Sequence, residues 1–300
     1  MTLIKNLEQS VQDIDTKHIL YVVKYLKHYG YLNKLNPNIN EFIDAITLFQ
    51  TTFDLTVDGV VGPQTLETTL IPRCGVPDYE RASSNRNKWT KTNLTYYIKN
   101  RITNNEISVE DFDDSMEQVM SLLTDVCGLK ICRTNDIRTA NLVLDTGSSR
   151  RDGFGAPGGT LAWAYLPQGD NRQLLMKYDS REPWTLDFNS TSKINLIAVG
   201  SHEISHNLGL VHVNDRRALM YPMYQRHIWK PQSVYDIPEL QKRYGKPTTQ
   251  PEPDPEPDPP KPEEPSDPTD PASPSQTFTL KISGRDLKLQ SDSHRIFPTA

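Results

Sequence analysis

The chain has 300 residues, of which 36% are hydrophobic and 8% aromatic, with a net charge of −5. Its length suggests more than one domain, its mean hydropathy of −0.61 suggests a soluble chain with a polar segment, and no stretch is apolar for long enough to span a bilayer. No basic cluster interleaved with aromatics points to a nucleic-acid partner.

The opening residues, Met1-Thr2-Leu3-Ile4-Lys5-Asn6-Leu7-Glu8, lack the basic and apolar regions of a secretory signal. Helical periodicity begins with Ile19, Leu20, Val23, Leu26 and Tyr29, and resumes with Phe42, Ile43, Ile46 and Phe49. Thr56-Val57-Asp58-Gly59 reads as a turn, and Gly62-Pro63-Gln64-Thr65-Leu66 as the start of a short helix with proline near its N-terminus. Residues 72–78, Pro-Arg-Cys-Gly-Val-Pro-Asp, then hold a cysteine in a short loop stiffened by Gly75 and Pro77, with Arg73 and Asp78 spaced to pair across it.

From Asn87 the pattern changes. Leu94 to Ile98 reads as a strand, Phe112, Met116, Val119, Met120 and Leu123 mark an amphipathic helix, and strand-like runs follow at 140–144, 161–166 and 173–178. Cys127 and Cys132 either close a small disulfide loop or remain buried thiols, and the second is the expectation. Strands and helices in this order predict a twisted mixed sheet with a helix packed beneath it, an α+β class.

Residues 194–208 read as that helix, and they lead into His202-Glu203-Ile204-Ser205-His206-Asn207-Leu208-Gly209-Leu210-Val211-His212. His202 and His206 are one helical turn apart on one face, so both imidazoles can reach a single ion. Gly209 can end the helix and turn the chain back to bring His212 in as third ligand. Three neutral imidazoles leave one tetrahedral position open, the catalytic rather than the structural arrangement for zinc. Glu203 is offset from the ligands and suited to act as a base. Cys74 is the natural occupant of the open position, since a thiolate is a strong zinc ligand.

The histidine motif, followed by Ala218-Leu219-Met220-Tyr221-Pro222, resembles the signature of the metzincins, with Met220 at their methionine turn. Pro72 to Asp78 is similar to the cysteine switch of the matrix metalloproteinases, the matrixins, in all seven positions. The resemblance covers roughly residues 18–245. It implies a helical, peptidoglycan-binding-like prodomain (1–80) and a metzincin catalytic domain (85–245). The implied protein is a latent zinc endopeptidase of extracellular or matrix-type proteins, with Cys74 on the zinc and a Glu203 base. The implied partners are an extended polypeptide and an activating protease or autolysis, and the implied state is an exported monomer. Leu161-Ala162-Trp163-Ala164 matches the family's cleft-lining edge strand, so Ala162, Ala198 and Tyr224 are expected at a deep apolar substrate pocket.

The chain also departs from the family. Trp163 and Lys177 stand where matrixins carry histidines for a structural zinc, which is therefore expected to be absent. Asp179 and Glu182 remain from a calcium site, but Gly155 replaces a carboxylate, so calcium is no better supported than two solvated acids. These departures favour a competing reading, a non-catalytic binding protein with an inert metal site, whereas the intact ligands and Glu203 oppose it.

Residues 246–275 alternate proline with acid and are expected to be an extended spacer. Eight acids against Lys246 and Lys261 put −6 into this segment and leave the rest of the chain near +1. Residues 276–300 alternate like a single strand, too short for an independent domain and read as either a remnant or a truncation.

Overall fold

The structure, a computed structural model, describes residues 16–79 and 87–247, and the strands 276–282, 285–292 and 295–298. The chain divides into two compact units, Met1–Thr249 and Gln250–Ala300.

Among the described residues of the first unit, three helices come first: α1 (Thr16–His28), α2 (Ile39–Thr52) and α3 (Pro63–Thr69). Asn38 begins α2 with a capping box, its side chain accepting from the Glu41 N–H while Glu41 accepts from the Asn38 N–H. Pro63 sits in the first turn of α3, where its missing N–H costs nothing. The helices bury Val22, Leu26, Phe42, Ile46, Phe49 and Phe53 in a shared core. That core also takes in Tyr221 and Met223, from far along the chain, so the helical layer is built onto the domain that follows it.

A six-stranded sheet forms the centre of that domain. Its strands are β1 (Arg73–Cys74), β2 (Asn93–Ile98), β3 (Lys130–Arg133), β4 (Leu142–Gly147), β5 (Thr160–Ala164) and β6 (Leu174–Asp179), in the order β1-β5-β6-β4-β2-β3. Only β5 and β6 run antiparallel. Helix α4 (Val109–Thr124) begins at a Ser108–Asp111 capping box and lays Phe112, Met116, Val119, Met120 and Leu123 into the core. A short ladder joins β7 (Trp184–Thr185) to β8 (Ile194–Asn195). Helix α5 (Leu196–Asn207) is buried along its whole length, and α6 (Asp236–Tyr244) closes the domain.

Glycine ends α5. Gly209 has φ +92°, and a Cβ there would come within 1.9 Å of the Asn87 carbonyl oxygen. Its N–H bonds the His206 carbonyl and the next N–H, of Leu210, bonds that of Ser205, so the turn that follows the helix satisfies its last carbonyls.

Two expectations need correction. Cys127 is a buried thiol, but Cys132 is exposed on β3 rather than buried, and both are free. The tail is not one strand but an antiparallel meander of β9 (Gln276–Ile282), β10 (Arg285–Asp292) and β11 (Arg295–Pro298). The register Ile282↔Arg285 leaves two residues between the first pair, the link length of a tight hairpin. The alternating pattern alone could not reveal where the chain reverses. The expected spacer lies outside the described residues except at 246 and 247, as do residues 80–86 between the two expected domains.

A candidate metal centre closed by the N-terminal segment

Cys74, His202, His206 and His212 bring their donor atoms within 4.8 Å of one another. His212 Nε2 lies 3.2 Å from His202 Nε2 and 3.1 Å from His206 Nε2, and Cys74 Sγ lies 3.5 Å from His206 Nε2. In a zinc tetrahedron with ordinary bond lengths, nitrogens lie about 3.3 Å apart and nitrogen and sulfur about 3.6 Å. The donor set therefore fits zinc in both chemistry and spacing.

Each imidazole is neutral, as a ligand must be. Burial, then the neighbouring His212, lowers the His202 pKa to about 3. Burial and the other two rings push His206 down as well, and burial lowers His212. The Nδ1 of His202 lies 2.7 Å from the Leu219 carbonyl, and that of His206 2.8 Å from the Leu210 carbonyl. Each ring is thus fixed in the tautomer that turns Nε2 inward.

Glu203 is fully buried, and neither carboxylate oxygen has a protein partner. Burial raises its pKa to about 8. A buried carboxylate without partners is costly, and its position beside the ligands, facing the same pocket as Cys74 and His202, gives it access to chemistry there. Burial and then Glu203 also push the Cys74 thiol up. A bound cation would draw both groups towards ionisation.

Met220 is fully buried directly after Leu219, whose carbonyl orients His202. The turn is fixed by Asp236, a residue that the sequence reading missed. Its buried carboxylate accepts the N–H groups of Leu219 (2.8 Å), Met220 (3.2 Å) and Gln232 (2.9 Å). A lone acid at the start of a surface-type helix gives no signal of that role, because the two partners in the methionine turn are backbone groups 16 and 17 residues away.

The segment that carries Cys74 lies in a slot with hydrogen bonds on both sides. Towards β5, the Arg73 N–H donates to Gly159 O (2.9 Å) and the Gly75 N–H to Ala162 O (2.8 Å). Towards the wall after the methionine turn, the Cys74 N–H donates to Pro222 O (3.1 Å) and Pro72 O accepts from the Tyr224 N–H (2.9 Å). Gly75 is required by this approach, since a Cβ there would come within 2.6 Å of the Thr160 methyl.

Arg73 and Asp78 form a buried ion pair. The guanidinium is stacked 3.6 Å from the centroid of the Tyr29 ring and bonds the Tyr25 hydroxyl at 2.9 Å, while the Tyr31 hydroxyl donates to Asp78 at 2.7 Å. Burial would raise the Asp78 pKa, but Arg73 and His212 outweigh it and hold the carboxyl well below its usual range.

The pocket beside the ligands is lined by Leu161, Ala198, Val199, Leu219, Tyr224 and Ile228 among others. Ala162 does not line it: the side chain is buried in the sheet, and it is its carbonyl that meets Gly75. Tyr224 is part of the wall, and its hydroxyl accepts the Asn195 N–H at 2.9 Å.

At the positions that depart from the family pattern, the protein's own cations are in contact with the acids. Arg181 makes an ion pair with the fully buried Asp179 at 2.6 Å and donates to the Gly155 carbonyl at 2.8 Å. Glu182 accepts the Gly158 N–H at 2.7 Å. Lys177 pairs with Asp152 at 2.8 Å, and the Trp163 indole N–H donates to the Asp152 carbonyl at 2.7 Å. Because Arg181 already neutralises Asp179, millimolar calcium should leave the thermal midpoint of the chain unchanged, while Arg181→Ala should lower it and make it respond to calcium. A wild-type midpoint that climbs with calcium would show that the carboxylates prefer the ion to the arginine.

A mixed sheet above a helix that bears two imidazoles, with a third returned by a glycine turn over a methionine, defines a metzincin-type centre. The chain belongs to the matrixin family, whose family model matches residues 88–245, and a peptidoglycan binding domain model matches residues 19–68. Over 248 residues it is 32% identical to interstitial collagenase of Sus scrofa, covering 79% of this chain and 50% of that protein. The figures for interstitial collagenase of Bos taurus are the same. Macrophage metalloelastase of Rattus norvegicus is 32% identical over 227 residues, covering 73% of this chain and 47% of the relative. The chain thus spans about half the length of the curated relatives it matches.

Proposed function

We propose that this chain is the latent precursor of a zinc endopeptidase that hydrolyses internal peptide bonds of extracellular, matrix-type proteins. The observation that carries the reading is the convergence of Cys74 Sγ and three imidazole Nε2 atoms beside an unpartnered, buried Glu203. His202, His206 and His212 would hold the zinc, with Cys74 as its fourth ligand in the precursor. When bound, zinc would polarise the scissile carbonyl and make water a better acid.

The protein's own residues supply the rest. With Cys74 withdrawn, water could enter beside Glu203, and the carboxylate would accept its proton during attack on the scissile carbonyl. The same carboxyl then delivers the proton to the departing amine. Burial raises its pKa in the closed, metal-free site, and a bound cation would draw it back towards the ionised form that a base needs. A substrate would take up the backbone bonds to β5 and to the 222–224 wall that Arg73, Cys74 and Gly75 now occupy, adding a strand to the sheet edge. Its side chain beyond the scissile bond would enter the pocket of Ala198, Val199, Leu219 and Tyr224.

Extracellular action is supported by relatives named as collagenases and an elastase, and activation by another protease or by autolysis would remove the prosegment. The test is a library of quenched peptides, offered to the full chain after a mercurial has displaced Cys74. Cleavage should be abolished by a zinc chelator and should favour aliphatic over charged residues after the scissile bond. No cleavage of any peptide would sink the proposal, and a preference for charged residues would remove the pocket assignment.

A further inference from the structure

Two of the three imidazoles are oriented from within their own domain, and the third is not. His202 and His206 have their Nδ1 atoms against the Leu219 and Leu210 carbonyls. The Nδ1 of His212 meets no carbonyl. It lies 2.9 Å from Oδ1 of Asp78, a hydrogen-bond distance, although the N–H does not point straight at the oxygen.

Asp78 belongs to the N-terminal segment, and both side chains are almost fully buried, at 4% and 3% exposure. The carboxylate is itself held in place, with Arg73 on the same oxygen and the Tyr31 hydroxyl on the other.

We infer that Asp78 is a positioning residue for the metal centre: through His212 Nδ1 it completes the support of the third ligand, so that the precursor holds zinc more tightly than the same site does without its N-terminal segment. This rests on the zinc assignment proposed above. A carboxylate on the outer nitrogen of a ligating imidazole fixes its tautomer and raises its basicity. The N-terminal segment therefore contributes twice, with a thiolate on the open position and a carboxylate behind His212. Withdrawal of the segment removes both, and leaves His212 as the one imidazole of the three without its outer partner among the described residues.

The two contributions can be separated in the full-length chain. Zinc affinity is measured by chelator competition for the native chain, Asp78→Asn and Tyr31→Phe, and each is also loaded with cobalt(II), whose thiolate charge-transfer band reports whether Cys74 is still bound. Asp78→Asn removes the charge and weakens the Arg73 latch, although its amide oxygen can still accept from Arg73; in chains that keep the thiolate band it should weaken zinc binding 10- to 100-fold. Tyr31→Phe removes a bond to the other carboxylate oxygen and should stay within about twofold of native. The inference is overturned if Asp78→Asn binds zinc like the native chain, if Tyr31→Phe weakens zinc as much as Asp78→Asn does, or if the affinity falls only together with the thiolate band. A native chain that binds no zinc would instead overturn the function proposed above, and this inference with it.

Discussion

Replacing Glu203 by glutamine is expected to lower turnover of the activated chain by about 10²- to 10⁴-fold. The substitution keeps size and polarity but removes the proton acceptor. Glu203 is fully buried and unpaired by hydrogen-bond geometry, and the side chain that interacts with it, Cys74, is withdrawn in the activated chain. The loss should therefore fall on kcat, with KM and zinc content close to native. Steady-state kinetics with metal analysis of the same sample checks this. Turnover within a few-fold of native would remove Glu203 as the base, and a variant without zinc would reveal a structural role instead.

The second large effect concerns latency. Arg73→Met should release the N-terminal segment without any cleavage. The guanidinium is 1% exposed and Asp78 4%, so the substitution leaves a buried carboxylate without its main counter-charge. Breaking such a pair typically costs about 3–5 kcal/mol, and the chain can relieve that cost only by letting the segment out into water. At about 1.4 kcal/mol per tenfold, the open population rises by roughly 10²- to 4 × 10³-fold. The labelling rate of Cys74 by a small thiol reagent should increase by that factor, and peptide hydrolysis by the uncut chain should appear with it. Arg73→Lys should lie between the two, because an ammonium keeps the charge but loses the planar fork and the stacking on Tyr29. Unchanged labelling in Arg73→Met would show that backbone bonds alone hold the segment.

Acid should act on the same latch. The folded-state pKa of Asp78 lies below its unfolded value, so its stabilisation is complete above about pH 4 and is lost as the pH falls towards the folded pKa. The lowered histidine pKa values work in the same direction. In the metal-free chain, stability should decline as the pH drops from about 6.5 towards the His202 value of about 3.

The sequence was most legible where the chemistry is carried by spacing within one element. His202 and His206 on one helical turn, Gly209 at a positive φ and His212 beyond it follow from helix geometry and glycine's freedom. The Arg73–Asp78 pair was likewise foreseeable from a five-residue interval in a stiff loop. What could not be read were contacts between distant parts of the chain. Asp236 beneath the methionine turn, Tyr29 and Tyr31 around the latch, and Asp78 against His212 depend on how elements pack. Arg181 fell between the two cases. It lies two residues from Asp179, but its bond to the Gly155 carbonyl requires two strands to be brought together first. The tail was misread for a related reason: alternation gives a strand its faces but not its ends, and a two-residue reversal is lost among polar residues.

In the proposed precursor one ion, held by three imidazoles, is closed off by a thiolate from the N-terminal segment. Zinc analysis combined with thiol titration of the intact, folded precursor tests it directly. Of the three cysteines, Cys132 is exposed whereas Cys74 and Cys127 are buried. One tightly bound zinc per chain and rapid titration of Cys132 alone are expected, with Cys74 becoming reactive once the zinc is stripped. A folded precursor without zinc, or one whose Cys74 reacts as readily as Cys132 while zinc stays bound, would contradict it.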